Sequence, residues 1–89
     1  MDYNTYDWIS ILQKAEDFLE DRHYKVYKIP YPFNFLAYSS NSGNIFVAVY
    51  REEPDKTSLK EIMNFKTKNE DSKEVWIYKA GKFEKRLVM

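Results

Sequence analysis

Trp8, Ile11, Leu12, Ala15, Phe18 and Leu19 recur at intervals of three and four residues. That repeat predicts an amphipathic helix over about residues 6–22. Asn4 or Thr5 can cap its start, and Asp7 suits the positive end of its dipole. Glu16, Asp17, Glu20 and Asp21 lie off the apolar stripe and read as a solvated face. Residues 24–29 read as a strand, and Pro30 and Pro32 then interrupt pairing with an extended kink. In the next strand Asn34, Leu36 and Tyr38 share one face, and Phe33, Phe35 and Ala37 the other.

The apolar strand at 45–50 is joined to the preceding one through residues 39–44, where Gly43 suits a positive φ. It is apolar on both faces, as a covered central strand is. A loop at 52–57 precedes Ser58-Leu-Lys-Glu61, a capping box. Leu59, Ile62 and Phe65 give the helix that follows its buried stripe, and residues 69–72 break it. Residues 74–78 and 83–88 are strands around the tight turn Lys79-Ala-Gly-Lys82. The prediction is one α/β domain over 1–89, in the order α-β-β-β-α-β-β, a mixed sheet flanked by helices.

Composition narrows the class. With 89 residues, 44% of them hydrophobic and 18% aromatic, the chain can bury one modest core. It has no cysteine, so disulfides and thiolate metal sites are excluded. The apolar run at 45–50 is far short of the roughly 20 residues that span a bilayer. The N-terminal residues lack the basic and apolar regions of a secretory signal. A cytoplasmic protein with no membrane attachment is the expectation.

The formal net charge of zero conceals a gradient. Asp2, Asp7, Glu16, Asp17, Glu20 and Asp21 face only Lys14, Arg22 and Lys25 in the first 25 residues. At the other end Lys79, Lys82, Lys85 and Arg86 face only Glu84. Unaided nucleic-acid binding draws mainly on neutralised phosphates. A small basic patch argues against a stand-alone binder but leaves room for a few RNA contacts through Lys79, Lys82 and Arg86.

The order of elements is that of small nuclease-like, restriction-endonuclease-like domains. In the PD-(D/E)XK nucleases, including Holliday-junction resolvases, carboxylates hold Mg²⁺ near the scissile phosphate. The corresponding positions here are Asn34 and Val49-Tyr50-Arg51. Neither Asn34 nor Val49 supplies a charged ligand, so no metal and no cofactor is expected.

From about Phe18 onward the chain resembles the C-terminal domain of the tRNA-intron splicing endonucleases. The resemblance rests on Leu19-Glu-Asp-Arg-His-Tyr-Lys-Val26, Ile29-Pro-Tyr-Pro-Phe-Asn-Phe-Leu-Ala-Tyr38, the strand at 45–50 and Ser72-Lys-Glu-Val-Trp-Ile-Tyr78. That family cleaves RNA without metal, through a Tyr, His and Lys triad. Tyr38 falls on its tyrosine and Lys73 on its lysine. The histidine slot, around 42–44, holds none, and the lone His23 occupies a position where the family has glycine.

The resemblance thus implies a structural, non-catalytic subunit of an archaeal-type tRNA splicing endonuclease, with Tyr38 and Lys73 vestigial. It would act in a hetro-oligomer with a larger catalytic subunit and meet precursor tRNA through that complex. In the family the C-terminal strands of neighbouring subunits pair edge to edge. This gives Phe83, Lys85, Leu87 and Val88 as the expected partner interface. The family's acidic docking loop has no counterpart, because Lys79–Lys82 is short and basic. The rival expectation is an inactive PD-(D/E)XK relative that binds DNA or protein. Each residue also has a plainer reading: Tyr38 as packing, Lys73 as solvated, His23 as a helix-terminal residue, and the basic group as an aggregation-resisting edge.

Overall fold

The computed structural model describes residues 3–40 and 43–88, with the side chains of 3–6 not described. Its elements are α1 (Tyr3–Asp21), β1 (Lys25–Lys28), β2 (Phe35–Tyr38), β3 (Ile45–Tyr50), α2 (Lys56–Asn64), β4 (Ser72–Lys79) and β5 (Lys82–Val88). The five strands form one sheet in chain order, β1-β2-β3-β4-β5. Neighbours are antiparallel except β3 and β4, which run parallel with α2 as the crossover between them. The chain is therefore α/β, with a mixed sheet and two helices.

Each helix covers its own face. Ile11, Ala15 and Leu19 of α1 are buried against Phe35, Ala37, Val47, Val49 and Trp76. On the opposite face Ile62 of α2 is buried against Phe33, Ala48, Val75 and Ile77. β3 supplies both cores, Val47 and Val49 to one and Ala48 to the other. Its two-sided apolar sequence has that cause.

Local details depart from the sequence expectations. α1 already includes residues 3–5, so Asn4 and Thr5 lie within the helix rather than at its cap. Asp7 instead pairs with Arg51 across 3.8 Å. Phe33 does not share a face with Phe35 and Ala37. A turn closed from Phe33 N–H to the Pro30 carbonyl, with a cis Tyr31–Pro32 bond, precedes β2. Phe33 emerges from it on the α2 side, edge-on to Phe65 with ring centroids 5.1 Å apart.

α2 begins two residues before Ser58, and its cap lies three before it. Asp55 is its N-cap, and one carboxylate oxygen accepts from Ser58 N–H at 2.7 Å. Asp55 offers the Ser58 amide a charged acceptor and so fixes the earlier start. Gly43 is required for space, because a Cβ there would lie 1.7 Å from the Glu70 carbonyl oxygen. Ser42, also in that loop, lies outside the described residues.

Candidate functional site

The two triad-like positions share the α2 face of the sheet but are not brought together. Tyr38 pairs with Lys25 at the end of β2, whereas the row Leu36, Phe46, Lys73 crosses three strands further along. Tyr38 is 45% exposed. Lys73 is 9% exposed, and its ammonium donates to the main-chain carbonyls of Ile62 and Met63, both at 2.9 Å. These are carbonyls in the last turn of α2, at the negative end of its dipole. The lysine is held as a helix C-terminal counter-charge, an arrangement its isolated place before a strand does not disclose in sequence.

His23 lies two residues before Lys25, the strand partner of Tyr38. It follows α1 with φ 69°. Its N–H donates to the Glu20 carbonyl at 2.9 Å, and Tyr24 N–H donates to the Leu19 carbonyl at 3.1 Å. This is a Schellman closure, whose left-handed residue is ordinarily glycine. The glycine of the family pattern at this slot has a backbone reason, and His23 stands there as a turn residue.

Asn34 and Val49, the positions corresponding to nuclease carboxylates, are neighbours with other tasks. The Asn34 side-chain oxygen accepts from Val49 N–H at 2.7 Å, and Asn34 N–H donates to the Val47 carbonyl at 2.8 Å. Val49 is 3% exposed and packs in the α1 core. No pair of side chains there faces a common metal position. Among the described residues no group of three or more histidines or carboxylates could hold a metal ion.

The C-terminal basic group is largely engaged within the chain. Arg86 donates to both carboxylate oxygens of Glu53 and to Glu84. Those carboxylates hold its guanidinium above its ordinary range, Glu53 first. Lys79 pairs with Glu84 at 3.7 Å. Lys85 Nζ lies 3.3 Å from the ring centroid of Phe18 and 4.9 Å from that of Trp76. Burial there, and then Arg22 nearby, depresses the Lys85 ammonium below the usual lysine range. Lys82 makes no ion pair among the described residues.

The expected interface residues are similarly divided. Phe83 packs on Trp76 and Tyr78, with centroids 5.4 and 5.0 Å away, and Val88 packs on the α2 core. Leu87 is 62% exposed. β5 is the last strand of the sheet, so among the described residues its outer backbone edge has no strand partner.

An open groove lies at the C-terminal end of β3. Trp8, Tyr31, Asn34, Tyr50, Arg51 and Asp55 are among its lining residues. Tyr31 is bonded to Glu61 and Ser58, and the Glu61 bond raises the Tyr31 phenol above its usual range. Burial does the same for Tyr50, which also meets Ser58. No described helix is long and apolar enough to cross a membrane. Comparison with protein-family models, with characterised proteins and with solved structures yields no match.

Proposed function

We propose that this chain is a non-catalytic subunit of a tRNA-splicing-endonuclease-like assembly, of restriction-endonuclease-like fold, which it joins through the free edge of β5. The observation that carries this reading is the state of Lys73. The element order α-β-β-β-α-β-β is kept, while the one buried lysine is spent on the carbonyls of Ile62 and Met63. The family's histidine slot around 42–44 holds no histidine. A frame with an incomplete triad has little catalytic power of its own, since a positioned proton-transfer group contributes about 10²–10⁴-fold. The catalytic set then belongs to a larger partner chain, and precursor tRNA meets this subunit through that complex. The seven-residue β5 offers a backbone ladder for strand addition, with Leu87 exposed beside it.

The test is capture of partners on the tagged chain, followed by reconstitution with the captured chain. The expected result is a larger chain bearing a complete Tyr, His and Lys set. Together the two cleave an intron-containing precursor tRNA, at a rate that Tyr38→Phe leaves nearly unchanged. Leu87→Asp weakens the pairing without unfolding the chain. Recovery of DNA-processing proteins, or of no such larger chain, overturns the proposal.

A further inference from the structure

The far end of the α2 face is not covered by α2. There Tyr27 of β1 and Tyr38 of β2 are 46% and 45% exposed. Tyr27 pairs with Leu36 and Tyr38 with Lys25, so the two tyrosines are diagonal neighbours on one face, at about 7–8 Å. That is about twice the 3.4 Å rise of stacked bases, so each ring can receive its own base. Lys25 shares the face directly opposite Tyr38.

Residues 65–71 cross the same side of the sheet. Phe65 packs against Phe46 with tilted rings, centroids 5.7 Å apart, and the Asp71 carboxylate accepts from Asn44 N–H at 3.1 Å. Lys66 and Lys68 lie between these two anchors and are exposed. Glu70 is the opposing exposed charge on that segment, the Asp71 carboxylate being engaged by Asn44 and Lys68 N–H groups. Lys73, though on this face, is turned to α2 and adds no free charge.

We infer that Tyr27 and Tyr38 form a stacking platform for a single-stranded nucleic acid, whose phosphates are met by Lys25, Lys66 and Lys68. Aromatic rings that take bases face-on, beside cations that track a backbone, are the combination such strands require. Tyrosine alone also suits a protein interface, but lysine is depleted there, and the lysines edging these rings favour a phosphate backbone. The neutral whole chain makes the binding weak and salt-sensitive, but the local balance is positive. The inference stands apart from the endonuclease proposal, since it concerns the chain alone and any single strand.

Fluorescence anisotropy with labelled oligo-U and oligo-dT of about 12 nucleotides tests it, at about 50 and about 200 mM salt. Saturable binding is expected, with a log–log salt slope of about −2 from three lysines on a single strand. Tyr27→Ala and Tyr38→Ala should each weaken it about 5- to 100-fold, and Tyr→Phe at either site should change it less than about twofold. Circular dichroism confirms that these exposed-site variants are folded. Absence of saturable binding overturns the inference, as does binding indifferent to both alanine variants. Concentration-dependent self-association abolished by the same variants, without oligonucleotide binding, assigns the face to a second copy and also overturns it. Failure here leaves the partner-capture result untouched, and the reverse holds.

Discussion

The Lys73 ammonium lies 2.9 Å from the main-chain carbonyl oxygen of Ile62, beneath the last turn of α2. A second bond to the Met63 carbonyl completes the contact. It joins β4 to the helix that crosses over to it, adding to the Phe65 N–H bond on the Ile62 carbonyl and supplying a donor to the last-turn carbonyl of Met63. The position is therefore one of stability. Lys73→Met keeps most of the stem and removes the charge, and should cost about 1.5–3 kcal/mol, the range for hydrogen bonds to a charged group. Chemical denaturation measures it. A vestigial catalytic lysine with no structural task would instead leave the unfolding midpoint unchanged.

Asn34 does for β3 what a strand residue's backbone would do. Its side-chain oxygen takes the Val49 N–H while its own N–H takes the Val47 carbonyl. Asn34→Ala leaves the Val49 amide unpaired and should cost about 1–3 kcal/mol. Asn34→Asp retains an acceptor and should fold. Val49→Glu is different, because residue 49 points into the α1 core. A carboxylate there is desolvated without a partner, and the loss should be about 3 kcal/mol or more. The paired substitution Asn34→Asp with Val49→Glu should therefore give an unstable protein without Mg²⁺-dependent cleavage. A folded, Mg²⁺-dependent nuclease would restore the PD-(D/E)XK reading.

The elements were legible wherever burial set the pattern. The stripe of Ile11, Ala15 and Leu19 and the two-faced strand at 45–50 are consequences of one helix on each side of a sheet. Errors fell where short polar contacts decide. Asp55 rather than Ser58 starts α2, and the turn before β2 carries Phe33 to the opposite face from Phe35. Periodicity does not register such turns. The site was less legible for a related reason. A lysine before a strand reads the same whether its ammonium meets water, substrate or a helix end, and only packing brought Lys73 to α2. Likewise the pairing of Tyr27 with Leu36 and of Lys25 with Tyr38 creates a tyrosine platform from residues 11 apart in sequence. Only the β1–β2 register reveals it.

His23 holds a left-handed backbone in which L-residues other than glycine are disfavoured. Its two closing hydrogen bonds are main-chain bonds, so the imidazole is not needed for them. His23→Gly should raise stability by about 0.5–1 kcal/mol, the relief of the left-handed strain less the greater entropy of an unfolded glycine. The change in denaturation midpoint checks it. Activity of a reconstituted complex should be unaffected, and a loss there would give His23 a chemical role that its place in the turn does not suggest.

Asp55 carries the clearest pH dependence. The Ser58 backbone N–H, and after it the Ser58 hydroxyl, hold the Asp55 carboxyl below the ordinary carboxylate range. In the unfolded chain the group returns to about 3.9. A folded-state value below the unfolded one means the stabilisation is fully present above about pH 4–5. It declines as the pH falls through the unfolded value and is lost below the folded one. Asn is as good an N-cap but does not titrate. The stability advantage of the wild-type chain over Asp55→Asn should therefore shrink steadily on acidification from pH about 5. Asp55→Ala should be less stable than both at neutral pH, because the Ser58 amide loses its acceptor. Parallel denaturation series of the three proteins across this range measure it. A wild-type curve that keeps a constant offset from Asp55→Asn would show that the cap acts through geometry alone, without its charge.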